Sequence, residues 1–335
     1  MSRSVFISRS GLTIDKDKYI HKFSHLHTAG NRKYWNEDTA FKAPNKPLLL
    51  LSIIDLIQEG MVSPELIQLT PDLCDIFARF WSLCMPPHRK GDIALPFLHL
   101  KSEGFWHLIP RPGKEEILDN IKEPGSITNL KNIALGSRLD KELSFLVTDP
   151  ISRDDLRLTL IRTYFSPPIQ KKIVEQSLIN SQALKYSEEL LSPKRVASPK
   201  IEEPKQHPFR NQGFRRAVVT AYDHRCAMCG LRMQTSQGHT AVDAAHIIPW
   251  RETHNDDPCN GLALCKLCHW AFDEGLMTVS GKYQVITSPQ ISITPNFPAH
   301  LQALSGRGMI LPEKEIYNPD LESLKWHRTK VYKRI

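Results

Sequence analysis

Apolar residues run almost unbroken from Leu48 to Ile54, interrupted only by Ser52, which predicts a buried helix reaching Gln58. Ala43 to Pro47 (APNKP) leads into it and Gly60 follows it, the proline-first, glycine-after asymmetry of a helix. Leu73, Ile76, Phe77 and Phe80 share one helical face and predict a second helix from Pro71 through about Phe80. Ile93 to Leu100 and Phe105 to Leu108 read as a β-hairpin turning at Ser102 to Gly104. Helices are expected again from Asn129 to Tyr164, closing at Phe165 to Pro167.

The polar stretches divide the chain. Residues 1–18 lack apolar periodicity and read as a flexible arm. Lys171 to Leu191 has helical character, but Ser192 to Pro208 is rich in Lys, Glu and Pro and has no core-forming pattern, which predicts a semi-extended tether. Phe214 to Tyr222 reads as a short helix. Met277 to Val279 and Tyr283 to Ile286 read as strands around a Ser280-Gly281 turn. The expected layout is an arm (1–18), a mixed, mainly helical domain (19–168), a linker (169–208) and a second domain (209–335), of α+β class.

A chain of 335 residues is long enough for two ordinary cores. Its formal net charge of +8 points to an anionic partner such as nucleic acid. No apolar run approaches the ~20 residues that span a bilayer, and the first residues lack the apolar core of a signal peptide. Membrane association is therefore not expected, and a cytoplasmic location is. From Tyr19 to Phe41, basic residues alternate with aromatic ones, including Arg32, Lys33, Tyr34 and Trp35. That mixture suits phosphate and base contacts as well as it suits a solvated helix face. Met85 to Asp92 is a basic loop, in which His88 and Arg89 are candidate DNA contacts.

The seven cysteines carry the most specific signal. Cys226/Cys229 and Cys265/Cys268 form two C-x-x-C pairs, a spacing that lets four thiolates reach one tetrahedral Zn²⁺ at about 2.3 Å. Such a site is structural, and by itself it would fit a zinc ribbon without chemistry. Cys74, Cys84 and Cys259 show no partner pattern, and C-x-x-C pairs with an odd total fit a reducing compartment.

Between and after the pairs lie Ala241 to Trp250 (AVDAAHIIPW), Asp256 to Cys265 (DDPCNGLALC) and His269 to Gly275 (HWAFDEG). Together they resemble the HNH nuclease family, with its ββα-metal finger. The resemblance covers roughly Phe214 to Pro289, and segments LSGRGMILP and LKWHRTKVY extend it toward Arg334. It implies that His246 is the general base, that Asn260 orients that base and that His269 binds a catalytic divalent ion, Mg²⁺ or Mn²⁺. A neutral imidazole suits this role, since it can take a proton from water near pH 7 beside a metal-stabilised phosphate. Many members carry a further ligand just before the base, where this chain has Ala245. Two acids are candidates to replace it. Asp243 lies on the Ala245 side of an extended strand, displaced by about 6.6 Å, and Asp273 falls four residues after His269 on one helix face.

A second resemblance covers about Tyr19 to Pro168. APNKPLLLL, LPFLHLKSEGFWHL, SRLDKELSFLV and LIRTYF occur in this order in the sulfur-binding domain of phosphorothioate-dependent restriction endonucleases. It implies backbone contacts from Asn45 and Lys46 and an apolar wall for the sulfur around Leu95, Pro96 and His99; Phe97 and Trp106 read instead as core residues of a mixed domain. Where that family has a His-Arg pair and a Tyr before its prolines, this chain has Asn45-Lys46 and Leu95. An apolar surface can favour sulfur over a hydrated oxygen.

The combined expectation is a modification-dependent, phosphorothioate-reading DNA restriction endonuclease. It would have structural Zn²⁺, a catalytic Mg²⁺ or Mn²⁺, double-stranded DNA as partner and possible homodimerisation on DNA to make two nicks. The alternatives are an HNH endonuclease that reads another modification or a plain sequence, and a DNA-binding protein without turnover.

Overall fold

The computed structural model describes residues 5–7, 13–30, 32–193, 208–235, 238–293 and 299–334. The chain forms two units, residues 1–181 with 236–239, and 182–235 with 240–335. Both are helix-rich with small two-stranded sheets, a mixed α+β architecture. No helix among the described residues is long and apolar enough to cross a membrane.

The first unit begins with strands β1 (Val5–Ile7) and β2 (Thr13–Asp15), paired antiparallel. Helix α1 (Lys16–Ser24) follows at once, capped by Asp15, so order begins earlier than the expected arm boundary at residue 18. Helix α2 (Asn45–Gln58) is buried on nearly every face, from Lys46 to Ile57, as its unbroken apolar run demands. It packs on α3 (Pro71–Cys84), whose start is set by Pro71 and by the Thr70 hydroxyl accepting from Leu73 N.

The predicted hairpin over residues 93–108 is not formed. Ala94–His99 is instead a short helix, α4, continued by a 3-10 turn at Leu100–Glu103. Asp92 Oδ1 accepts from Ala94 N at its start, Pro96 sits in the first turn, where the missing N–H costs little, and Gly104 ends it at φ +70°. Ile93, Pro96, Phe97 and Leu100 then face inward at helical spacing. Strand β3 (Trp106–Pro110) finds its partner farther along the chain. Helices α5 (Glu115–Asn120) and α6 (Ile127–Ile133) intervene before β4 (Ala134–Leu139), which pairs with β3 antiparallel, Trp106 opposite Leu139. Trp106 and Phe97 meet edge to face at 5.0 Å in the core, and the indole donates to Phe97 O.

Helices α7 (Lys141–Thr148) and α8 (Pro150–Tyr164) complete this core; Asp149 caps the latter. Cys74 and Cys84 are buried here, and burial pushes each thiol up to about 12. Helix α9 (Pro167–Leu190) occupies much of the expected linker and passes through the boundary between units at residue 181. Its last turns, at Tyr186 and Leu190, belong to the core of the second unit. Of the expected tether, residues 194–207 lie outside the described residues.

In the second unit α10 (Pro208–Ala221) packs across β5 (Val242–His246) and β6 (Gly261–Cys265). The strands pair antiparallel with His246 opposite Gly261. Gly261 allows the close approach of α10, because a Cβ there would lie 2.5 Å from Val218 Cγ2. Short helix α11 (Trp250–Thr253) lies in the connection, and α12 (Lys266–Asp273) follows β6 directly. Strands β7 (Met277–Val279) and β8 (Val285–Thr287) form the expected hairpin. Helix α13 (Leu321–Lys330) packs on β7, and the segment after it closes on the end of α12. Gly275 has φ +69° and accepts from Lys333 N, and a Cβ on it would lie 2.1 Å from Val331 O.

Candidate active site

Strand β5 ends at His246, and the β5–β6 register places that imidazole beside the connection that carries Asp256 and Asn260. Its ring stacks flat on Phe214 of α10, centroids 3.8 Å apart. Nε2 lies 2.8 Å from Oδ1 of Asp256, a carboxylate that is 1% exposed. Arg210 Nη1 reaches both oxygens of Asp256 at 2.6 Å, and Tyr186 donates to Oδ2 at 3.0 Å. With these donors on it Asp256 acts as an acceptor, so Nε2 of His246 donates to it and Nδ1 is the ring nitrogen left over. Burial, with Asp256 beside it, pushes the Tyr186 hydroxyl well above its usual range and keeps it a donor. The Arg210 guanidinium also lies 4.1 Å over the Trp250 ring.

Asn260 does not touch the imidazole. Its Oδ1 accepts from Ile248 N at 2.9 Å and its Nδ2 donates to Ile248 O and Asn255 O at 3.0 Å, while its backbone oxygen accepts from Ile247 N. It therefore pins the chain immediately after His246 to the loop that carries Asp256.

The four sulfurs of Cys226, Cys229, Cys265 and Cys268 lie within 4.8 Å of one another. Cys229 and Cys265 are 3.8 Å apart, and a tetrahedral ion with bonds of about 2.3 Å would hold two sulfurs at about that separation. The donor set and its spacing fit Zn²⁺. The hydrogen bond with Cys229 is the chief cause that holds the Cys226 thiol below its usual range.

Helix α12 starts from the last cysteines and presents His269 and Asp273 one turn apart, Nε2 to Oδ2 3.4 Å. Two such donors can share one divalent ion. Burial raises the Asp273 carboxyl, and His269 opposes that rise. Asp273 and His246 both line a cleft of about 700 Å³, whose other walls include Arg251, Glu252, Trp326 and Lys330. Neither His269 nor Asp243, the other candidate acid, lines this cleft, and Asp243 is paired with Arg215 Nε of α10 at 2.9 Å.

Residues 226–280 match the HNH endonuclease family. The second unit thus carries a segment matched by the HNH endonuclease family. A solved structure described as a modification-dependent TagI restriction endonuclease shares 22% identity over 38% of this chain and 41% of that one, with a TM-score of 0.28. So loose and partial a likeness does not extend to the arrangement of this chain. No curated protein matches it.

Asp256, Arg210 and Tyr186 are the residues of the HNH domain that sequence reasoning missed. Asp256 falls inside the motif segment, but its partners lie 46 and 70 residues upstream and carry no motif.

In the first unit the expected contacts separate. Asn45 is half-buried at the start of α2. The Lys46 ammonium is internal, paired with Glu103 and 3.2 Å from Ser102 Oγ, which corrects its reading as a surface phosphate contact. Glu103 also accepts from His27 N. Of the three residues expected to wall an apolar cavity for the mark, Pro96 is buried in α4, Leu95 is exposed and His99 is half-buried. Burial, aided by Lys46 and Lys101, lowers the His99 pKa. His88 is exposed, and Arg89 lies 4.7 Å over the Trp35 ring with its guanidinium on Tyr34 O.

Proposed function

We propose that the chain is a divalent-metal-dependent DNA endonuclease of the restriction type, in which the first unit reads a modification, phosphorothioate, and the HNH domain cuts. The observation that carries the catalytic part is the buried Asp256 carboxylate on Nε2 of His246. It leaves Nδ1 as the acceptor for a water proton, the protonation state a general base needs.

His246 would take that proton as water attacks phosphorus in line, leaving a 5′-phosphate and a 3′-hydroxyl. Phe214 fixes the plane of the ring, Asp256 fixes its tautomer and stabilises the imidazolium that forms, and Asn260 holds the loop on which both depend. His269 and Asp273 would hold a Mg²⁺ or Mn²⁺, which supplies charge stabilisation at the phosphate and the leaving oxygen. The four cysteines would hold Zn²⁺ as a staple. A double-strand break needs two such cuts, which favours two copies on one DNA.

The modification reading is supported by the order of the four motifs over Tyr19 to Pro168 and by the exposed Leu95 next to His99 on α4. The test uses the full chain with Mg²⁺ or Mn²⁺ and matched plasmids that carry or lack phosphorothioate. Cutting confined to the modified plasmid is expected. Equal cutting of both would remove the sulfur-reading part, and absence of cutting on either would remove the nuclease mechanism.

A further inference from the structure

Besides the HNH cleft, the first unit holds a smaller cavity of about 260 Å³ with a mainly apolar lining. One wall is α3, through Cys74, Phe77, Ala78 and Trp81, another is the loop carrying Met85, Pro86 and Pro87, and His239 lines it as well. The loop is drawn tightly onto the helix. Trp81 Nε1 donates to Arg89 O at 2.7 Å, and at Gly91 a Cβ would lie 2.8 Å from both Phe77 and Trp81, so no larger residue fits without opening the slot.

The rim has a different chemistry from the floor. Arg89 and Lys90 border the cavity, and Arg89 ties it to the neighbouring basic and aromatic loop by covering Trp35 and bonding Tyr34 O. In that loop Tyr34 is 55% exposed, and Arg32 lies 4.7 Å over Phe41. Cations spaced along a surface track phosphates, and aromatic faces beside them stack bases. An apolar slot opening between them is below the roughly 300–1,000 Å³ of pockets that enclose a whole small-molecule ligand. It suits one flat ring system attached to an anionic backbone.

We propose that this slot receives a single unstacked nucleobase of bound DNA, with Arg89 and Lys90 on the adjoining phosphates. A base leaving the stack presents a flat apolar face and a charged tether, which are the two features the floor and the rim match. The proposal rests on the reading of the chain as a DNA enzyme, and it adds a base-specific contact distinct from the Leu95 and His99 region. It concerns the first unit alone.

The test compares two fluorescent strands of equal length, a twelve-nucleotide oligothymidylate and an abasic strand with the same phosphates, bound to the full chain without divalent metal. A stacked base contributes enough for a preference of roughly tenfold or more for oligothymidylate. Ala78→Phe and Ser82→Phe each place a ring in the slot; Ser82 is exposed, so its variant keeps the helix core intact. Both should lose the preference while keeping the affinity for the abasic strand. Arg89→Ala should weaken both strands together. Equal wild-type affinity for the two strands, or a preference that survives in both filled variants, would overturn the proposal. Plasmid cutting is scored separately. A chain that cuts but shows no base preference loses only the slot, whereas base preference without cutting keeps the slot and removes the nuclease mechanism.

Discussion

His246 donates from Nε2 to Oδ1 of Asp256 across 2.8 Å, in a place where almost no water reaches the carboxylate. That single bond decides which imidazole nitrogen is free to accept a proton. It also makes the base depend on residues far from it in sequence, because Asp256 is itself held by Arg210 and Tyr186.

Asp256→Asn should lower the cutting rate by roughly 10²- to 10⁴-fold, since an amide can present an N–H to Nε2 and turn the ring to the wrong tautomer. Loss of the carboxylate also leaves the Arg210 charge buried without its partner, at a cost of about 3–5 kcal/mol. Thermal melting beside the rate assay separates the two effects. Arg210→Met in the Asp256→Asn background should recover stability without recovering cutting, and a folded Asp256→Asn protein that cuts at near the wild-type rate would rule out the tautomer role. His246→Ala should abolish cutting and retain DNA binding.

Cys226→Ser or Cys268→Ser should release tightly held zinc and unfold the HNH domain, because metal binding in so small a frame is a large part of its folding free energy. Metal analysis and melting check this. A full zinc complement in either variant contradicts the four-thiolate site.

His327 should make the HNH domain sensitive to acid. It is 2% exposed, stacks on Phe272, accepts from Thr278 at Nδ1 and donates to Phe272 O, and burial lowers its pKa to about 4. The folded state therefore keeps the ring neutral where the unfolded chain, with a pKa near 6.5, takes up a proton. Stability falls as pH drops from about 6.5 to about 4, by about 3 kcal/mol in all, and is flat above. Denaturant unfolding across that range measures the slope. His327→Gln should lower stability at pH 7 and flatten the slope, and an unchanged slope would assign it to other groups.

Lys46→Ala and Arg89→Ala should part company. Removing Lys46 leaves Glu103 buried without its cation and should cost about 3 kcal/mol of stability, with little change in the salt dependence of DNA binding. Removing Arg89 should leave stability nearly unchanged and reduce the slope of log K against log salt by about 0.9. Melting curves and binding titrations at several salt concentrations distinguish these outcomes. A large slope change in the Lys46 variant, without destabilisation, would return that lysine to the DNA surface.

What the sequence made legible follows the range of the interactions involved. The four clustered cysteines, His246, Asn260, His269 and the β7–β8 turn lie within one local pattern, and so does the run that becomes α2. Asp256 looked like one of two adjacent loop acids, because nothing near it in sequence marks the arginine and tyrosine that bury it. Ile93 to Leu100 failed as a strand because Asp92 and Pro96 start a helix there, and the true partner of β3 lies beyond two intervening helices. Lys46 looked like a phosphate contact because its counterion, Glu103, is 57 residues away. Asp243 and Asp273 were near-equal candidates on spacing alone; in the structure Asp243 pairs with Arg215 and Asp273 with His269.

The backbone contact of Gly275 with Val331 sets a limit on modularity. It joins the end of the finger helix to residues outside the 226–280 family match, and those residues follow the helix that supplies Trp326 and Lys330 to the cleft. A transplant of 226–280 onto another domain would take along the four cysteines, His246, His269 and Asp273. It would leave behind Arg210 and Tyr186 on one side and the outer wall of the cleft on the other. The smallest portable unit around this site therefore begins before Tyr186 and extends beyond Lys333, nearly three times the length that the family signature marks out.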